Sequence, residues 1–371
     1  MRLRQLKRGF AGVAAAGLLL LTAGCGSLSV PETTAAKAEE TTAAQTKAEE
    51  KTEAASREEA LKEAKKTVRV VGNLSGLSLD MGNAFCDSLE ELSGGSIAVE
   101  RYLTGQVGTN DEDLCIALSE GNFDVYLTSD MLATWVLPEW LGYANVAFCF
   151  RDADHVKKYW TMLDQEYALN GRMIEQYNVR ALITDSVAVR TPRYITANKE
   201  IKSPQDMKGL KFRTPSVEGV VASWQACGAS IVPIPFGELY SALQTGTADA
   251  QENPTDMIMQ GGFYGVQKYM MLTSHQYGAY LFHANETWYQ SLSDTEKDWV
   301  SQAATKGYEL FNEKGAEQDA QYIKELAEKG MTVIPAEEID IDAFKEAIIG
   351  PVLEKFKDSW AKDGWEAIQA L

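Results

Sequence analysis

Short β-branched runs alternate with amphipathic stretches along most of this chain, and that alternation restricts the fold more than any other feature. Val68-Arg69-Val70-Val71 suits a buried strand. Leu79 to Leu92 then sets Met81, Ala84, Phe85, Ser88, Leu89 and Leu92 at helical spacing, closed by Gly94-Gly95. Ser96 to Tyr102 alternates as a strand, Asp111 to Ser119 reads as a helix ended by Gly121, and Phe123 to Leu127 reads as another strand. This order points to an α/β lobe with a mainly parallel sheet. The same grammar returns between Arg193 and His275. Ser203-Pro204-Gln205-Asp206 is a helix start, with a capping serine and proline at the first position. A strand from Leu210 to Thr214 is stopped by Pro215; a helix, a strand (Ser230 to Ile234), a helix (Gly237 to Gln244) and a short strand (Ala248 to Gln251) follow. With 371 residues, 45% of them hydrophobic, the chain has material for about two such units. Ser293-Asp294-Thr295-Glu296 is a capping box opening a helical stretch to about Lys329. At 1.5 Å per residue it spans about 50 Å, enough to lie across two lobes, with Gly307 and Gly315 as candidate bends. Trp135 and Trp140 read as core.

The first residues carry a different signal. Met1 to Arg8 holds Arg2, Arg4, Lys7 and Arg8 without an acid, and the apolar stretch Phe10 to Leu21 is shorter than a bilayer span of about twenty residues. It ends in Leu21-Thr22-Ala23-Gly24-Cys25, so residues 1–25 read as a secretory signal. The cysteine after small residues resembles a bacterial lipobox, with Thr22 where leucine is commonest; cleavage there leaves Cys25 lipidated. Plain cleavage beside an incidental cysteine is the alternative. Residues 26–66 collapse to Ala, Thr, Glu and Lys and read as a flexible tether. No later stretch reaches eighteen uninterrupted apolar residues. Loss of the four basic signal residues takes the formal charge from −18 to −22, which argues against nucleic acid as a partner. Cys86, Cys115, Cys149 and Cys227 form no Cys-x-x-Cys pair, and His155, His275 and His283 are the only imidazoles, so no structural zinc site is predicted. Export permits disulfides, but spacing assigns none; buried thiols are the favoured reading.

Motifs for catalysis are absent: no Gly-x-Ser-x-Gly elbow, no His-Glu-x-x-His, no phosphate-binding glycine loop, no EF-hand loop. The acid pairs Asp249 with Glu252 and Asp111 with Asp113 lack a base or metal partner, and no cofactor is implied. Two arginines are better placed for binding. Arg213 ends the strand before Pro215, at the edge where open α/β sheets take ligands, and Arg193 precedes a short apolar stretch. A guanidinium is planar, always charged, and matches a carboxylate with two parallel hydrogen bonds.

Longer motifs carry a resemblance. Leu210-Lys211-Phe212-Arg213-Thr214-Pro215, the run from Gly228 through Pro233-Ile234-Pro235-Phe236-Gly237-Glu238-Leu239-Tyr240 to Gly246, Asp249-Ala250-Gln251-Glu252-Asn253-Pro254 and Val266-Gln267-Lys268-Tyr269 appear in order, with Gly105-Gln106-Val107-Gly108 upstream. Together they resemble the solute-binding subunits of tripartite ATP-independent periplasmic (TRAP) transporters, of the dicarboxylate-binding type, from about Val68 onward. Ala250 departs from the usual glycine. The resemblance implies a two-lobed periplasmic-binding-protein-like α/β fold with hinge strands and a long helix crossing both lobes. It divides the chain into lobe I (67–190 and 279–318) and lobe II (191–278 and 319–371). It implies that Arg213 pairs with a ligand carboxylate, that Arg193 is a second cationic contact, and that Asn253 bonds the same carboxylate or a neighbouring hydroxyl. Asn73 and Asp130 would reach from the opposite lobe, Phe236 would wall the cleft, and Asn110 is a further candidate. The plainer alternatives are a turn role for Asn253, core packing for Phe236, and helix capping for Asn73 and Asp130. The expected ligand is a C4-dicarboxylate, a 2-oxo or hydroxy acid, or a sugar acid, delivered to two integral membrane subunits driven by an ion gradient. A ligand-sensing lipoprotein docking on a membrane histidine kinase and an exported hydrolase are the rival functions.

Overall fold

The computed structural model describes residues 65–108, 110–184 and 186–371. The expected signal, Cys25 and the expected tether up to residue 64 lie outside the described residues. Among those residues the strands are β1 (Lys66–Gly72), β2 (Ile97–Tyr102), β3 (Val125–Ser129), β4 (Val179–Ala181), β5 (Ala188–Val189) and β6 (Tyr194–Ala197). They continue with β7 (Lys211–Thr214), β8 (Ser230–Pro233), β9 (Ala250–Asn253), β10 (Tyr269–Met271), β11 (Ala279–Asn285) and β12 (Thr332–Ile334). Two six-stranded sheets result, one ordered β2-β1-β3-β11-β4 with β5 beside β11, the other β12-β10-β6-β9-β7-β8. The protein is two-lobed, with one sheet at the centre of each lobe.

The β-branched run in β1 is buried on both faces, as a central parallel strand requires: Val68, Val70 and Val71 have almost no exposure. The helix Gly76–Leu92 turns Met81, Phe85, Cys86 and Leu89 onto that sheet. It ends at a turn in which Gly94 and Gly95 take φ of 58° and 79°, the left-handed region that glycine enters without a Cβ penalty. The start at Ser203 forms its capping box with Asp206 but yields only a 3-10 turn, Pro204–Met207, because Gly209 at φ 70° redirects the chain into β7. Between β3 and β4 the chain forms four helices, Met131–Val136, Pro138–Ala144, Ala153–Gln165 and Leu169–Tyr177. Trp140 is buried there, and Trp135 packs on Tyr177 at 5.5 Å. The final residues return to these helices: Trp360 meets Tyr143 at 4.8 Å, and Gln369 donates to the Cys149 carbonyl at 2.8 Å. Cys86, Cys115, Cys149 and Cys227 are all buried. No helix among the described residues is long and apolar enough to cross a membrane.

In each sheet one strand runs against all the others: β11 in the first and β6 in the second. Each is the strand reached by crossing from the other lobe. The two crossovers run side by side as a hinge, with the Arg190 amide donating to the Gly278 carbonyl (2.9 Å) and the Arg193 amide to the Gln276 carbonyl (3.0 Å). A third link is the helix Asp294–Glu328, which opens with the Ser293/Glu296 capping box. It packs on the helix Gly76–Leu92 and β5 in the first lobe and on the helix Thr255–Gln260 and β12 in the second. Gly307 serves close approach: a Cβ there would stand 3.1 Å from the Met81 carbonyl oxygen and from the Phe282 ring. Farther along, Asp319 accepts from Tyr194 (2.7 Å) and Thr255 (2.6 Å), tying the helix to the second lobe.

Candidate functional site

The second sheet collects its chemistry at one edge. β7, β8 and β9 run parallel and end at Thr214, Pro233 and Asn253; β6 runs against β9, so its first residue, Tyr194, lies opposite Asn253. Arg193 therefore enters at the edge where Arg213, Glu252 and Asn253 sit. Strand β9 is unusual in burying Gln251, Glu252 and Asn253 almost completely. Buried polar groups are tolerated when paired, and these are. Gln251 donates to Thr196 at 2.9 Å and accepts from the Asn253 amide at 2.5 Å. Arg193 clasps Glu252 through Nε and Nη2, and Nη2 also reaches Asn253 Oδ1 at 2.9 Å. His275, just past β10, stands 3.3 Å from Glu252 Oε2 and 2.7 Å from the Thr273 hydroxyl.

Charge is distributed unevenly over this cluster. Burial would raise the pKa of Glu252, but the Arg193 charge and the His275 hydrogen bond overcome it and bring the carboxyl to about 2. Burial lowers the pKa of His275 despite Glu252. A neutral imidazole beside an acceptor-only carboxylate carries its proton on Nε2, which donates to Glu252, while Nδ1 accepts from Thr273. His275 is thus spent on structure. Arg193 and Glu252 cancel, leaving Arg213 as the uncompensated charge. Arg213 is 4% exposed, its Nε donates to the Ile234 carbonyl at 2.7 Å, and its two η nitrogens have no hydrogen-bond partner among the described residues. Burial lowers its pKa, with Glu252 opposing and Arg193 adding to the effect.

Two cavities meet at the hinge crossover. The smaller, about 170 Å³, is lined by Asp130, Arg190, Arg193, Glu252, Gln276 and Tyr277 among others. The larger, about 680 Å³, takes in Asn73, Arg190, Phe236, Asp256, Tyr280 and Asp319. Of the residues singled out from the sequence, Arg193 and Asp130 line the smaller cavity, and Asn73 and Phe236 the larger. Arg213 and Asn253 line neither cavity; they sit in the strand-edge cluster beside Glu252, which lines the smaller one. Asn110 lies apart, capping the helix Asp111–Ser119 through a bond from the Asp113 amide at 3.1 Å. Asp130 precedes the helix Met131–Val136 without a side-chain cap bond, and burial raises its pKa. Phe236 meets Phe263 edge-on at 5.7 Å.

Sequence reasoning passed over three members of this region. Glu252 was visible only as the companion of Asp249, which instead holds the Lys211 amide (3.0 Å) at the surface. Its position next to Asn253 in a strand of three polar residues was the available signal. His275 gave no signal. Arg190 stands, half-buried, on the crossover between two short apolar segments, Val187-Ala188-Val189 and Tyr194-Ile195.

The family model for bacterial extracellular solute-binding protein, family 7, matches residues 68–359. The chain belongs to that family. This family 7 protein is 29% identical over 287 residues to the sialic acid-binding periplasmic protein of Vibrio cholerae, with 76% of this chain and 85% of that one covered. It is 26% identical over 277 residues to the 2,3-diketo-L-gulonate-binding periplasmic protein of Escherichia coli, covering 73% and 80%. Its fold matches the TRAP periplasmic solute-binding protein of Roseobacter denitrificans solved with bound L-galactonate, with a TM-score of 0.65 and 26% identity over 83% of this chain and 98% of that chain. The family 7 protein is thus a TRAP-type solute-binding protein, a class that works outside the cytoplasm and binds rather than transforms its substrates.

Proposed function

We propose that this family 7 protein captures a small organic carboxylate between its lobes and delivers it to the integral membrane subunits of a TRAP transporter. The observation that carries this reading is Arg213, 4% exposed and with no hydrogen-bond partner for either η nitrogen among the described residues, beside an Arg193 already neutralised by Glu252. A buried, unpaired cation is costly. A carboxylate ligand removes that cost and supplies two charge-assisted hydrogen bonds, each contributing on the order of 1.5–3 kcal/mol. Arg193 holds Asn253 in place and Asn253 borders the same carboxylate, while Asp130 and Asn73 take ligand hydroxyls from the first lobe and Phe236 closes the larger chamber. The relatives support an acid: sialic acid, 2,3-diketo-L-gulonate and L-galactonate each carry a carboxyl group.

Calorimetry with the organic acid that co-purifies, identified by mass spectrometry, tests the assignment. Arg213→Ala should lose more than about 100-fold in affinity, since it removes a bidentate charge pair; near-native affinity in that variant would sink the placement. Residues 1–25 form the export signal and Cys25 bears the lipid anchor in this reading, with residues 26–64 as the tether, since Lys65 and Lys66 already pair with Ser96 at the start of β1. Cys25→Ser should then move the protein from the membrane fraction to the soluble one, and unchanged membrane association would reject the anchor.

A further inference from the structure

Arg190 is the charged group that the carboxylate site does not use. It follows β5 on the first hinge crossover, where its amide is fixed to the Gly278 carbonyl at 2.9 Å. A Cβ on residue 278 would stand 3.2 Å from Arg190 Cδ, so glycine at that position leaves room for the stem of the side chain. The guanidinium lies over the Tyr280 ring at 5.1 Å, and Nη2 approaches Met257 Sδ at 3.7 Å. These contacts orient the group without neutralising it: no carboxylate lies within 4.0 Å of it among the described residues, in contrast to Arg193 three residues later. Arg190 and Thr191 belong to the walls of both cavities. The smaller cavity alone falls below the roughly 300–1,000 Å³ of ordinary ligand sites, so a ligand seated at the strand edge extends into the larger chamber and passes Arg190 on the way.

We propose that Arg190 is a ligand-contacting residue that receives a second acidic group of the ligand, so that this protein selects dianionic over monoanionic organic acids. The inference rests on Arg213 as the contact for the first carboxylate. A planar guanidinium already stacked on an aromatic ring offers its outer N–H edge to a carboxylate without further ordering. Asp130 from the first lobe and Asp256 and Glu252 from the second shape the field around it at longer range; burial, which would lower its pKa, is outweighed by Tyr280 and these acids, so it stays charged. A hydroxyl in place of the second acid would gain only a neutral-acceptor bond, which is weaker than a charge-assisted pair.

The test is calorimetry on the full chain with matched pairs: succinate against butyrate, and galactarate against galactonate. In at least one pair the wild type should favour the diacid by more than about tenfold. Arg190→Gln should weaken the diacid by about 10- to 100-fold and change the monoacid by less than about threefold. Arg190→Lys, which keeps the charge but not the fork, should retain part of the preference; melting curves confirm that both variants fold. Absence of a diacid preference in the wild type overturns the proposal. So does an equal loss for both members of a pair, the pattern expected if Arg190 instead latches Asp130 to Asp256 across the lobes. Failure of all four acids to bind, or native affinity in Arg213→Ala, would instead refute the carboxylate assignment beneath it.

Discussion

On the second lobe's strand edge nearly every polar group is already committed, whereas on the first lobe's side of the cleft the polar groups stand loose. Glu252 holds two bonds from Arg193 and one from His275, Asn253 is held between Arg193 and Gln251, and among the described residues of this edge Arg213 keeps open donors, with the Thr214 hydroxyl beside it also unpartnered. Across the cleft, Asn73 is exposed and Asp130 caps nothing. The difference separates two jobs. A charge that must discriminate an acid from a neutral solute gains from being fixed before the ligand arrives, because the ordering cost falls on folding rather than on binding. Groups that meet the ligand only as the lobes close can remain uncommitted, and they are free to differ in what they select.

Acid should expose this contrast with opposite signs. Glu252 has a pKa pulled down from 4.5 to about 2, so its ionised form stabilises the fold above 4.5, and that contribution drains away as pH falls from 4.5 toward 2. The drop corresponds to about 3 kcal/mol. His275 adds to the loss: its pKa is lowered by burial, so below its ordinary 6.5 protons favour the unfolded chain. Asp130 acts the other way. Burial raises its pKa, so its ionised form burdens the fold at neutral pH and the burden lifts on acidification. Urea denaturation across pH should therefore show Glu252→Gln less stable than wild type at pH 7 but with a flatter decline below 4.5. Asp130→Asn should be more stable than wild type at pH 7. A wild-type slope in Glu252→Gln, or destabilisation by Asp130→Asn, would break the comparison between the two sides.

The two α/β series were legible because central parallel strands need β-branched runs and their covering helices need apolar stripes, as Val68 to Val71 and Met81 to Leu89 supply. The long helix was legible from its capping box, and its N-terminal boundary falls at Asp294, next to Ser293. Arg213 could be placed at a strand end from alternation and the following proline, but its burial could not. Lys211 is exposed and Arg213 is buried on the same face of β7, because coverage changes along the strand. The Arg193–Glu252–His275 cluster joins residues 59 and 23 positions apart, and local pattern carries no information about such pairings. Arg190 was hidden for a related reason: its importance comes from lying between two cavities, a property of the packed lobes and not of its neighbours in sequence.

The smallest effect concerns Asn110, which lies on the first lobe but outside either cavity. Its side chain accepts from the Asp113 amide at 3.1 Å, and the helix it caps opens with Asp111, Glu112 and Asp113. Those acids already suit the positive end of the helix dipole, so the cap is one of several supports. Asn110→Ala should cost about 1 kcal/mol of stability in denaturant titration and leave ligand affinity unchanged by calorimetry, while Asn110→Asp should restore the stability. A tenfold fall in affinity with stability intact would mean that Asn110 reaches the cleft when the lobes close. The loose side of the comparison would then extend to a residue whose polar group is committed in this conformation, and commitment to a cap would no longer mark a side chain as outside the ligand's reach.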